Sequence, residues 1–309
     1  MISWRYHLVS IVAVFLALGL GVLAGTTVLD QGLLNNLRDR TTKLEQDNGD
    51  LRSAVGNLQG EIGTLNTFSE QSLPFIVGTR LSGEQVVIVT QEGLDSATLS
   101  QIRRTLDLAG AQVLTTLSVR AEMAASTPAS QKDLAGLLGK PVATPADQLT
   151  AAAAQLLAQR LSQEPKGNQQ PATDPLGELL SAGFLTSSAP SLSDTTLSLI
   201  GGRGQLVVAV GGASVAPTPG AFLIPFVRDL VGLGVITGAG ESAGPTSDFV
   251  VPLRSTVDPG QLPIVTVDDA DQPMGGAALA IGLERAAAAG TGGNYGSKAG
   301  TSGLLPPPG

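Results

Sequence analysis

Residues 8–29, LVSIVAVFLALGLGVLAGTTVL, carry no charged side chain and lead almost directly into leucines spaced by sevens. At about 1.5 Å per residue the stretch makes roughly 33 Å of helix, enough to cross a hydrocarbon core of about 30 Å. A signal peptide has a shorter apolar region, about 7 to 15 residues, before a small-residue cleavage site, and no A-x-A pattern follows here. The stretch therefore reads as an uncleaved transmembrane anchor over 8–29. Residues 1–7 form a short tail in which Trp4, Tyr6 and His7 surround Arg5, a composition suited to the headgroup layer.

Orientation follows from the basic residues. Arg38, Arg40 and Lys43 lie near the far end of the span, but Arg5 and the amino terminus sit closer to their own edge. The expected arrangement is a single pass with the amino terminus cytoplasmic and the large domain outside the plasma membrane. Gly21 and Gly25 form a GxxxG pair that either lets two helices approach closely or reflects the general abundance of glycine in membrane helices.

Residues 30–69 read as a coiled coil. Leu37, Leu44, Leu51, Leu58 and Leu65 share one heptad position, d, while Leu34, Thr41, Asn48, Val55 and Ile62 occupy position a. Leucine at d with β-branched residues at several a positions favours a parallel two-stranded coil, so the expected partner is a second copy of the chain. Asn48 supports that expectation, because a buried amide satisfied by its twin fixes register and strand number at some cost in stability. The dimerisation residues on this reading are Leu34, Leu37, Leu44, Asn48, Leu51, Val55, Leu58, Ile62 and Leu65. Arg40 and Asp47 at g oppose Glu45 and Arg52 at the following e positions, pairing opposite signs. Gly49, Gly56, Gly60 and Gly63 weaken the helix by roughly 1 kcal/mol each, although all fall on outward positions. An amphipathic helix packed on its own downstream domain is the competing reading.

From about residue 80 to 290 short apolar strands alternate with helical stretches. QVVIVT (85–90) reads as a buried strand, 94–109 as a helix, and 112–119 as a second strand. QLVVAV (205–210), a helix over 222–232, the segment 234–237, PIVTV (263–267) and a helix over 276–289 follow. Near-continuous apolar strands alternating with helices predict an α/β domain with a mainly parallel sheet covered on both faces. Between 124 and 193 the pattern weakens to helices over 147–161 and 175–185, separated by SQEPKGNQQPATDP (162–175), which reads as a loop. Residues 291–309 are rich in glycine and proline and read as a solvated tail, unless Tyr295 docks.

The side-chain inventory restricts chemistry. The chain has one histidine, His7, at the membrane edge, and no cysteine, which removes Ser-His-Asp and cysteine-based catalysis from the large domain. The chain is expected not to be an enzyme and to need no cofactor. A formal net charge of −8 without clustered Lys and Arg argues against nucleic acid as a partner. Gly211 and Gly212 follow an apolar strand where a phosphate loop would sit, but they lack both the dinucleotide glycine spacing and the P-loop lysine. Asp268, Asp269 and Asp271 follow PIVTV, where carboxylates either hold a hard cation or cap and orient the next helix. With Met1, Met123 and Met274 scattered, no soft-metal cluster is apparent.

Several segments resemble a known family. The opening MISWRYHLVSIVAVFLALGLGVLAGTTVL, the heptad leucines, QVVIVT, TVDDADQPMGGAALAIGL and NYGSKAG…LLP are similar to the mycobacterial copper transporter MctB family of actinobacteria, which includes the SteB branch. The resemblance implies copper export and low internal copper, with copper ions as cargo and an outer-envelope location as an alternative to the plasma membrane. The SteB branch implies instead a scaffold that binds an envelope or division protein during cell separation.

Overall fold

The computed structural model describes residues 4–164, 174–188, 199–202, 204–212, 216–246 and 248–307. Helix α1 (Trp4–Val77) is continuous over 74 residues. Nothing interrupts it before Pro74, which lacks the N–H for one i→i−4 bond and lies in the last turn, so the helix ends three residues later at Val77. Its first part, Trp4–Gly25, has a mean hydropathy of 2.6 and is long enough to cross a membrane. The chain divides into two compact units after Asn66.

In the second unit, seven strands form one sheet in the order β3-β2-β1-β4-β5-β6-β7. They are β1 (Gln85–Gln91), β2 (Gln112–Val119), β3 (Leu185–Ser187), β4 (Leu206–Val210), β5 (Thr237–Gly240), β6 (Ile264–Val267) and β7 (Gly293–Tyr295). All neighbours pair in parallel except β3, which runs antiparallel to β2 at one edge. The fold is therefore the α/β class expected, a mostly parallel sheet flanked by helices. Those helices are α2 (Ser96–Leu108), α3 (Pro128–Leu137), α4 (Ala146–Ser162), α5 (Pro175–Ser181), α6 (Leu223–Gly232), α7 (Val250–Arg254) and α8 (Pro273–Ala289).

Strand alternation builds two cores. Val87 and Val89 of β1 face one side with Leu157 of α4 and Phe226 of α6, while Val86 and Ile88 face the other with Ile102 of α2 and Leu279 of α8. Leu73 and Val77, at the end of α1, join the second core. Because both faces of every central strand are covered, β1 and β4 read as unbroken apolar runs.

Three expectations are corrected. The tail expected over 291–309 docks at its start: residues 293–295 form β7, paired with β6, and Tyr295 is buried. Gly296 N–H donates to the Gly303 carbonyl and Ser302 N–H to the Asn294 carbonyl, so the following segment folds back on the strand edge. The helix expected to run to 185 ends at Ser181, and Leu185 begins β3 instead. The segment anticipated at 234–237 becomes a strand only from Thr237, in the glycine-rich TGAG. Glycine at 238 leaves room for the Leu279 side chain, whose end a Cβ there would meet at 2.8 Å and displace. The loop read over 162–175 lies largely outside the described residues.

Candidate functional site at the carboxyl ends of β5 to β7

Ligand sites in open α/β sheets gather beyond the carboxyl ends of the strands. At β5, β6 and β7 those ends deliver Glu241, Asp268 and the Gly296–Lys298 turn to one place. Asp268 is fully buried and receives a donor from each neighbour. Arg254 Nη1 donates to its Oδ2 at 2.8 Å, Ser297 N–H to Oδ1 at 2.8 Å and Lys298 N–H to Oδ2 at 3.1 Å. Arg254, the last residue of α7, also donates to Thr266 Oγ1 at 2.8 Å and to the carbonyls of Tyr295 and Ala299 at 2.7 and 3.0 Å. Its three guanidinium nitrogens thus tie β6, β7 and the segment beyond together.

Lys298 completes the network from the other side. Its Nζ donates to Glu241 Oε1 at 3.0 Å and to the carbonyls of Ser242 and Thr246, both at 3.1 Å. Glu241 Oε2 in turn accepts the Val250 N–H at the start of α7. Each charge has a counter-charge, and each carboxylate also receives backbone donors, the condition under which buried ions persist.

Asp269 differs from its neighbours. It is 7% exposed, and its Oδ1 has no hydrogen-bond partner. Burial first, then the Asp268 and Asp271 carboxylates, push its carboxyl up to about 6, against the smaller opposing effects of a hydrogen bond from its own backbone and of Arg254. Asp271 is engaged elsewhere, accepting the Ala243 N–H at 2.7 Å. The three aspartates lie within four residues but are divided in role: one is a paired core ion, one a desolvated carboxyl whose Oδ1 has no partner and one a loop fastener. Among the described residues no three His, Cys, Asp or Glu side chains come together as a group able to hold a metal ion.

The strand order reverses between β1 and β4, so the crevice that holds phosphates in such sheets should open there. Among the described residues this end of the sheet is closely packed instead. A Cβ on Gly211 would meet the Phe249 ring at 2.7 Å, and one on Gly212 the Leu94 side chain at 2.7 Å. The glycines admit apolar packing, and Gln91 Nε2 crosses the same end of the sheet to the Pro217 carbonyl.

The heptad leucines lie on an exposed helix. Leu37, Leu44, Leu51, Val55, Leu58, Ile62 and Leu65 are each more than half exposed, Asn48 is exposed, and the Leu34 side chain lies outside the described residues. Sequence reasoning did not find Arg254, Glu241 or Lys298. A signal existed in the two motifs TVDDADQP and NYGSKAG, which the fold brings into contact through Asp268 and Lys298.

These features define a class: an apolar N-terminal helix of membrane-anchor length, continued as a long polar helix and followed by an α/β domain with its carboxyl-terminal segment strapped to the sheet. The chain belongs to the MctB family, since the model of that family, described as copper transport outer membrane protein, matches residues 1–306. It is similar to the copper transporter MctB of Mycobacterium tuberculosis (strain H37Rv) and to that of Mycobacterium bovis. Each is 26% identical over 313 residues, covering 96% of this chain and 96% of the relative.

Proposed function

We propose that this chain is a non-enzymatic, membrane-anchored copper-homeostasis protein that helps copper leave the cell across the envelope. The observation that carries this reading is the match to a copper-transport family along residues 1–306. Physical limits shape how it would act. The one membrane-length apolar helix among the described residues cannot by itself enclose a pore, and an open sheet with edges at β3 and β7 is not a closed barrel. Copper would therefore pass through an assembly of copies or through a partner that the exported domain positions. The amino terminus would stay in the cytoplasm and the α/β domain outside the plasma membrane.

Cell-associated copper in a deletion strain under graded external copper, with the intact gene restored as control, tests the reading. Copper accumulation reversed by the restored gene is the expected result. Unchanged copper together with chained, unseparated cells overturns it in favour of a second reading, a dimeric scaffold that binds an envelope or division protein. The exposed leucine stripe on α1 favours that alternative, because large apolar side chains at seven-residue spacing are the pattern by which one helix packs on another.

A further inference from the structure

Phe75 is 90% exposed and Phe68 68% exposed, whereas Phe184, Phe222, Phe226 and Phe249 are all buried in the α/β domain. Both exposed rings stand on the last turns of α1, seven residues apart, within the second compact unit. On the same turns Leu73 and Val77 are buried in that unit's core, so the helix end is apolar on two sides and only one is covered by its own domain.

The heptad register bears on what could cover the other side. Counting on from Leu65 at d, position a of the following heptads is Ser69 and then Ile76, d is Ser72, and g is Phe68 and Phe75. The serines remove bulk from the seam, and the apolar surface moves to the flanking g positions before returning to the seam at Ile76, itself 39% exposed. In a parallel coil a g residue lies beside the seam and is covered by the partner helix. A two-fold interface presents the same patch from both copies, so no second kind of surface is needed to complete it. Lipid is a poor alternative cover, since the apolar span ends at Gly25 and polar, charged sequence fills the interval to Phe68.

We propose that Phe68, Phe75 and Ile76 form a contact between the α/β domains of two copies, extending the dimer interface beyond the leucine stripe and holding the two heads side by side. The inference rests on the dimeric reading of the stripe. Its consequence is that the heads of a dimer are not independent: a partner or cargo would meet a paired surface.

The chain has no cysteine, so single cysteines can be placed without background. In the full-length protein in membranes, Phe75→Cys, Leu51→Cys and Val142→Cys would each be treated with a short bis-maleimide. Val142 is exposed and reports collisional linking. Linking of Phe75→Cys and Leu51→Cys to twice the monomer mass, about a hundredfold faster than Val142→Cys because the paired thiols face each other at millimolar effective concentration, is the expected result. Linking at Leu51→Cys without linking at Phe75→Cys overturns the head contact and leaves the coil intact. Absence at both removes the contact together with the dimer. A Phe75→Cys adduct of another mass overturns the assignment of the occupant. Folding of each variant is checked by protease resistance of the α/β domain, which an exposed substitution should leave unchanged.

Discussion

Arg254 and Asp268 meet as a desolvated ion pair, Nη1 2.8 Å from Oδ2, with side chains 3% and 0% exposed. Breaking such a pair strands a charge in a low-dielectric interior, which costs far more than loss of a surface pair. Arg254→Ala should lower the stability of the α/β domain by about 3–5 kcal/mol. Because Arg254 also holds the Tyr295 and Ala299 carbonyls, the Gly296 and Ser302 amides should lose hydrogen-exchange protection before the central strands do. Loss of protection spread evenly over the sheet would show that the pair supports the core in general and not the strap.

Lys298 tests the opposite end of the same network. Its three acceptors, Glu241 Oε1 and the Ser242 and Thr246 carbonyls, lose their donor in Lys298→Met. The expected cost is about 2–3 kcal/mol, and the thermal midpoint of the variant should show it. Combined with Arg254→Ala the loss should be less than the sum, since either change alone releases the 296–303 segment. Strict additivity would indicate two independent fasteners.

Glycine at 292 is set by the docking of β7. A Cβ at that position would fall on the Ile264 carbonyl, a backbone atom that cannot move aside. Gly292→Ala should detach β7 and expose Tyr295, whose phenol burial holds above its ordinary pKa against the opposing Arg285 charge. Tyrosine ultraviolet titration of the variant should then show that group ionising at lower pH than in the parent chain. An unshifted titration would mean that the strand stays docked.

Asp269 carries a pH dependence whose sign follows from its raised pKa. Folded it titrates near 6, against an ordinary 3.8, so between these values the folded chain holds a proton the unfolded chain has released. The contribution of Asp269 to stability therefore falls as pH rises from about 4 to about 6 and is lowest above that window, by up to about 2–3 kcal/mol. Asp269→Asn should stabilise the domain at pH 7 and flatten the denaturant midpoint between pH 4 and 6. A flat profile in the parent chain would show that Oδ1 has found a donor.

Much of this fold was legible because burial on both faces writes itself locally. QVVIVT and QLVVAV are apolar at every position that a covered parallel strand requires, and β2 was read at its observed limits, Gln112–Val119. What escaped reading depends on distant partners. β7 is GNY, without apolar length, and forms because Asn294 accepts from Thr266 Oγ1 at 2.9 Å and because Arg254 grips the Tyr295 carbonyl. The buried Arg160–Asp174 pair, Nε to Oδ1 at 2.6 Å, joins α4 to the start of α5 across a polar stretch that looks like loop in sequence. The aspartate trio was visible as a cluster at a strand end, but its division into paired, orphaned and fastening carboxylates depends on Arg254 and Lys298, 14 and 30 residues from Asp268.

Asn48 offers the sharpest test of the helix α1 stripe. Its neighbours in the heptad pattern, Leu44 and Leu51, are 67% and 66% exposed in the single chain. At a central a position in a parallel dimer the two Asn48 amides would satisfy one another, which selects two strands in register at the expense of stability. Asn48→Leu removes that constraint, so the detergent-solubilised full-length chain should gain thermal stability in α1 while its mass, measured by sedimentation equilibrium, rises above the dimer or becomes mixed. A stable dimer of unchanged mass and unchanged melting would place Asn48 in solvent and the interface on another face of the helix. A monomer in both parent and variant would remove the coil, leaving the leucine stripe to be filled by a different protein.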